Sequence, residues 1–238
     1  MIALVFVVIV TILLVIAYGH DSYREVIEKL QDVSKALPIY IINLPARKER
    51  LELLMERIEP KPDSYYVKST GAVDGKEVIE GYLNKGQIGC WLSHVDAWKM
   101  IVDQSEPIAL VLEDDAMIEL PKMYDDILDV MVRLPNKWDV CYLGGRYADP
   151  EKAESINGNI MTSSSSRIWH SHAYLITKNG ASKLLRKSSK FNSERTLKAF
   201  DSIDPLDDWM TNPSRHMRIF LIIPELIPFM HDDIHDTS

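Results

Sequence analysis

Between residues 38 and 223, short apolar runs alternate with longer amphipathic segments, and this alternation restricts the chain to one class of architecture. PIYIIN (38–43), SYYV (64–67), PIALVL (107–112), WDVCYL (138–143), HAYLIT (172–177) and RIFLII (218–223) have the length and composition of buried strands. Helical periodicity fills the intervals. Leu51, Leu54, Met55 and Ile58 share one face over 46–58; Trp91, Val95, Trp98 and Val102 share one over 86–102; Met123, Ile127, Met131 and Leu134 share one over 120–134. NGASKLLRK opens a further helix at 179. Strand and helix in turn predict an α/β fold with a doubly wound, mostly parallel sheet. Residues 146–167, polar and ending near the Ser163–Ser166 run, read as a surface loop. In such sheets ligands sit beyond the carboxyl ends of the strands, so the residues after each strand become the candidates.

The first 18 residues follow a different rule. Met1 to Tyr18 carries no charge and one polar side chain, Thr11, and as a helix would be about 27 Å long, near the thickness of a bilayer's hydrocarbon core. The span suits a retained signal anchor or a cleaved signal peptide; the missing basic n-region favours the anchor. The expected organisation is therefore a single-pass anchor at 1–18, a stalk helix at 19–37 and one catalytic domain at 38–238. The flanking charges do not fix the side of the membrane on which that domain lies. Cys90 and Cys141 are too few for a disulfide framework and read as two buried thiols.

Charge narrows the choice of function. The total is 27 − 35 = −8, which argues against a nucleic-acid partner. Residues 108–130 hold seven acids and one base, net −6, and residues 201–238 hold eight acids and two bases, also −6, leaving +4 for the remainder. The first acidic segment contains Glu113-Asp114-Asp115 directly after an apolar strand. Three adjacent carboxylates raise one another's pKa, a cost that a hard divalent cation relieves; a solvated acidic turn opening a helix is the plainer alternative. The second contains Asp204-Pro205-Leu206-Asp207-Asp208.

Six segments in order, IYIINLPARKERLELLMERI, GAVDGKEV, KGQIGCWLSHVDAWKMI, IALVLEDDAMIE, DVCYLGG and HAYLITKNGASKLL, resemble glycosyltransferase family 25 over roughly residues 38–231. The resemblance implies a glycosyltransferase-A-like fold and transfer of a hexose from a UDP-sugar with inversion at the anomeric carbon. It implies that Asp115 bridges Mn²⁺ or Mg²⁺ to the diphosphate, with Glu113 a second metal ligand and Glu113 or Asp114 meeting the ribose or a metal-bound water. His231 would complete the metal shell. Asn43, Arg47, Arg50, Asp74 and His94 match positions expected near the nucleotide. Asp207, with Asp208 second, aligns with the acid expected to take the acceptor's proton. The expected partners are a UDP-hexose, carrying galactose or glucose, and a glycan, glycolipid or hydroxylysine acceptor. Plainer roles exist for several of these residues: a satisfied core histidine at 94, an Asp-Gly turn at 74, an Arg50–glutamate pair, a helix-capping Asp207 and a core tryptophan at Trp209. The alternative function is a catalytically decayed carbohydrate-binding or adhesion protein of the same fold.

Overall fold

The computed structural model describes residues 37–59, 65–69 (backbone), 83–162, 167–189, 204–212 and 216–230. The expected anchor, the expected stalk up to residue 36, Asp74 and His231 lie outside these residues; Leu37, expected to end the stalk helix, begins a strand instead. Among the described residues no helix is long and apolar enough to cross a membrane.

The apolar runs form strands close to their expected bounds: β1 (Leu37–Ile42), β2 (Tyr65–Ser69), β3 (Ile108–Glu113), β4 (Val140–Tyr142), β9 (Ala173–Thr177) and β10 (Ile219–Ile222). The helices are α1 (Lys48–Ile58), α2 (Lys85–Asp103), α3 (Leu120–Arg133), α4 (Lys178–Ser188) and α5 (Leu206–Thr211). Among its described residues the stretch expected as a loop carries strands instead: β5 (Arg146–Tyr147), β6 (Glu154–Asn157) and β7 (Ile160–Thr162), with β8 (Ile168–Trp169) directly after it. β6 and β7 form an irregular hairpin that extends the main sheet, while β5 and β8 pair as a separate ribbon. Composition concealed this because β6 is exposed along its whole length and so lacks an apolar signature.

The main sheet runs β2-β1-β3-β9-β4-β10-β7-β6. β1 pairs in parallel with β2 and β3, and β4 with β10, but β9 sits between β3 and β4 antiparallel to both, and β7 is antiparallel to β10. The sense is thus parallel in blocks, with one reversed strand at the centre.

Strand alternation sends successive side chains to opposite faces, and two hydrophobic layers result. Tyr40, Ala109, Val111, Tyr142, Tyr174 and Leu221 pack with Trp91 and Trp98 of α2, Leu184 of α4 and Trp209 of α5. Ile39, Ile41, Leu110, Leu112, Leu175 and Phe220 pack with Leu54 and Ile58 of α1 and Ile127 and Met131 of α3. Helices on both faces of the sheet fit the doubly wound expectation. The same parity determines where the acids after β3 come to lie.

Candidate active site

Glu113 follows Val111 in parity and so lies on the α2 face, whereas Asp114 continues the parity of Leu112 toward α1. Asp114 is buried there. Its Oδ2 accepts a hydrogen bond from Asn43 Nδ2 at 2.8 Å, and its Oδ1 lies 3.3 Å from an Arg50 guanidinium nitrogen and 4.0 Å from one of Arg47. Asn43 also donates to the Arg47 carbonyl, closing the turn that leads into α1. Three expected nucleotide contacts, Asn43, Arg47 and Arg50, therefore gather around Asp114. None of these four lines the main cavity, whereas Glu113 and Asp115 do.

A hydrogen-bonded chain reaches Glu113 from the core. An indole N–H only donates, so Trp98 Nε1 donates to the Tyr174 hydroxyl at 3.0 Å. Tyr174 then donates to His94 Nδ1 at 2.8 Å, which leaves His94 Nε2–H to donate to Glu113 Oε1 at 3.1 Å. Ser171 Oγ donates to the same oxygen at 2.8 Å. Burial raises the Glu113 pKa, but the hydrogen bond and electrostatic attraction of the His94 N–H, with the Ser171 hydroxyl, more than compensate and hold it below the usual carboxylate range. Its side chain keeps 26% exposure, so desolvation comes from the cavity walls rather than from complete enclosure. His94 itself is fully buried and bonded at both nitrogens, a core histidine that orients a site carboxylate. Removing the Tyr174 hydroxyl leaves two buried partners unmatched. Tyr174→Phe is expected to cost about 2 kcal/mol, seen by calorimetry as a Tm fall of roughly 4–8 °C. An unchanged Tm would show that the chain contributes nothing to stability.

The cavity measures about 620 Å³. Asn84 and Gln87 at the start of α2 cap each other reciprocally and form one part of the wall; Glu113 and Asp115 form the second; Trp169, His170, Ser171 and His172 ahead of β9 form the third; Asp207 and Asp208 of α5 form the fourth. Asp207 Oδ2 accepts from the His170 backbone N–H at 3.0 Å, and its Oδ1 from that of Asp208 at 2.9 Å. His170 adopts φ +70°, a left-handed conformation uncommon for a residue with a side chain, and its ring stacks on Phe229 with centroids 4.7 Å apart. His172 Nε2 donates to the Ile227 carbonyl at 2.8 Å, and burial depresses its pKa.

Sequence reasoning overlooked the third wall, whereas its reading of Trp209 as a core tryptophan holds. Trp209 is 1% exposed and packs edge-on against Trp91. Trp169, 39% exposed, is the tryptophan that lines the cavity, with the Arg146 guanidinium 5.6 Å from its ring centroid.

Three buried side-chain polar atoms lack a hydrogen bond among the described residues: Asp115 Oδ1, His172 Nδ1 and Asp208 Oδ1. All three belong to residues lining this cavity. Asp208 Oδ1 lies 3.3 Å from an Arg167 guanidinium nitrogen, close enough for charge attraction without an aligned hydrogen bond. Burial, reinforced by Glu113 and Asp114, raises the Asp115 pKa to about 7. An unpaired, buried carboxylate oxygen beside a second acid suits a hard cation, and Asp115 with Glu113 are the residues present to hold one.

Residues 36–203 match the family described as glycosyltransferase family 25 (LPS biosynthesis protein). The chain belongs to glycosyltransferase family 25. Curated proteins similar to this family 25 chain include procollagen galactosyltransferase 2 of Homo sapiens, 29% identical over 69% of this chain and 30% of that protein. Procollagen galactosyltransferase 1 of Danio rerio is 26% identical over 86% of this chain and 38% of its own length. Inactive glycosyltransferase 25 family member 3 of Homo sapiens is 26% identical over 62% and 28%. The chain thus spans about a third of the length of these relatives. Among solved structures, mannose-1-phosphate geranyltransferase from Thermus thermophilus aligns at 10% identity and a TM-score of 0.45, covering 79% of this chain and 73% of that one. At that level the likeness carries no argument.

Proposed function

We propose that this family 25 chain is a metal-dependent, inverting transferase. It moves a hexose, galactose or glucose, from a UDP-sugar to a hydroxyl of a glycan, glycolipid or hydroxylysine acceptor. In this reading residues 1–18 anchor it to a membrane. The observation that carries the proposal is the convergence of the unpaired buried atoms Asp115 Oδ1, His172 Nδ1 and Asp208 Oδ1 on one cavity, since native proteins rarely leave buried polar atoms unsatisfied except where a ligand completes them. Names of relatives support the donor class: two of them are called galactosyltransferases.

Asp115 and Glu113 hold the cation, Mn²⁺ or Mg²⁺, which when bound neutralises charge growing on the departing diphosphate. The chain's own residues do the rest. Inversion requires a base on the side of the sugar away from the leaving group, and α5 supplies acids from a different element than β3. Each Asp207 oxygen is already engaged by a backbone N–H, which fixes the carboxylate against the chain. Asp208 Oδ1 has no such bond, so Asp208 takes the acceptor proton, and Asp207 positions the turn at His170. This reverses the order expected from the sequence. Trp169 offers an apolar face on which a sugar ring stacks.

The test is release of UDP from UDP-galactose and UDP-glucose with Mn²⁺, with Mg²⁺ or with chelator, alongside UDP binding by calorimetry. Turnover lost on chelation and lost in Asp208→Asn, with UDP binding retained in that variant, is the expected result. Turnover indifferent to chelator removes the metal from the proposal. UDP binding without any turnover points to a decayed, carbohydrate-binding protein.

A further inference from the structure

Cys90 and His94 are one turn apart on α2, so their side chains share a face, and Glu113 meets that face from the end of β3. One donor atom from each, a cysteine sulfur, an imidazole nitrogen and a carboxylate oxygen, all lie within 4.8 Å of one another. Tetrahedral zinc ligands stand about 3.5 Å apart, so the widest of these separations needs to close by only roughly 1 Å, and His94 Nε2 and Glu113 Oε1 are already 3.1 Å apart. His94 Nε2 already points at Glu113, and its ring is fixed from behind by Tyr174, the kind of outer contact that orients metal-ligating histidines. Cys90 lines the cavity, which leaves the fourth coordination position open to it.

We infer that Cys90, His94 and Glu113 form a second, inhibitory site selective for thiophilic divalent cations of the Zn²⁺ and Cd²⁺ class. Sulfur and imidazole suit such ions and not Mn²⁺ or Mg²⁺, which prefer oxygen. Binding replaces the His94–Glu113 hydrogen bond with two metal bonds, and the Cys90 thiol proton passes to solvent. The imidazole then carries its hydrogen on Nδ1, facing the Tyr174 oxygen. Because Glu113 belongs to both sites, a thiophilic ion withdraws it from the cation held with Asp115. The shared-carboxylate inhibition rests on the proposed transferase reading; occupancy of the site does not.

Cadmium titration of the full chain, followed by ultraviolet thiolate-to-cadmium absorption, tests occupancy without any turnover. A band that saturates near one equivalent is expected in the wild type and in Cys141→Ala. In Cys90→Ser it should be absent, with apparent Cd²⁺ affinity lowered more than about 100-fold by calorimetry. Absence of the band in the wild type, or its persistence in Cys90→Ser, overturns the site. In the activity assay, each protein measured against its own Mn²⁺-supported rate, Cd²⁺ should inhibit wild type at concentrations at least tenfold below those needed for Cys90→Ser. Equal sensitivity would refute the shared role of Glu113, whereas a saturating band in a protein that never turns over refutes the transferase reading and leaves the site standing.

Discussion

Asp115→Asn is expected to lower metal-supported kcat/KM by about 10³-fold or more and at the same time to make the metal-free protein more stable at alkaline pH. The first effect follows from losing the better metal ligand at a developing charge. The second follows from the sign of the linkage. Asp115 has its pKa raised to about 7 by burial, Glu113 and Asp114. A raised carboxyl pKa contributes stability that is complete below the unfolded value, near 4, and is lost as pH rises through about 7. Asparagine cannot ionise and never incurs that loss. Allowing for partial solvent access, the variant should exceed the metal-free wild type by about 1–3 kcal/mol at pH 8, with the difference fading toward pH 4. Mn²⁺ should raise the wild-type Tm and leave that of Asp115→Asn unmoved, and wild-type metal affinity should fall about tenfold per pH unit below 7 as the proton competes. Thermal scans from pH 4 to 8 with and without Mn²⁺ measure all of this. A variant less stable than wild type at pH 8 would show that Asp115 is not carrying an uncompensated charge.

Gly144→Ala should be the most disruptive single-methyl change near the cavity. A Cβ at Gly144 would lie 2.1 Å from His172 Nε2 and 2.1 Å from the Ile227 carbonyl oxygen, the two atoms that hydrogen-bond each other. One obstacle is backbone, and it is tied in turn, because the N–H groups of Leu226 and Ile227 both donate to the Leu143 carbonyl. Relief requires breaking the His172–Ile227 bond or parting the segment after β10 from β4. Destabilisation of about 3–5 kcal/mol is expected by denaturant titration, together with weaker UDP binding where the protein remains folded. Gly86→Ala provides the comparison, since its added Cβ meets its nearest neighbour at an ordinary 3.4 Å. Equal effects in the two variants would refute the packing argument.

How far the sequence disclosed this site depended on the direction of each strand. The apolar runs and helical faces were legible because burial imposes periodicity, and the acids after β3 were found by looking beyond a carboxyl end. The same rule passed over His170-Ser171-His172. β9 is antiparallel to β3 and β4, so its beginning, not its end, reaches the cavity edge. Periodicity identifies a strand without giving its sense, although a polar trio immediately before the apolar run AYLIT was a visible signal. Asn43 and Arg50 matched a family pattern, yet their partner Asp114 lies 71 and 64 residues away in sequence, and only the pairing of β1 with β3 brings them together. Trp209 and Trp169 were indistinguishable as letters. What separates them is that α5 buries one in the core whereas the short β5–β8 ribbon leaves the other exposed.

The division of Glu113-Asp114-Asp115 between two sides of the sheet bears on how chains of this kind are judged alive or dead. Counting acids in the segment is uninformative, because the middle one is committed to Asn43 and Arg50. A homologue that kept only the middle acid would retain its anchor to the helix after β1 and lose both carboxylates of the cavity. One that kept the outer two would have the opposite profile, an equipped cavity on a loosened frame. Odd-or-even position after the strand, not acidity, is therefore the character to read in related chains.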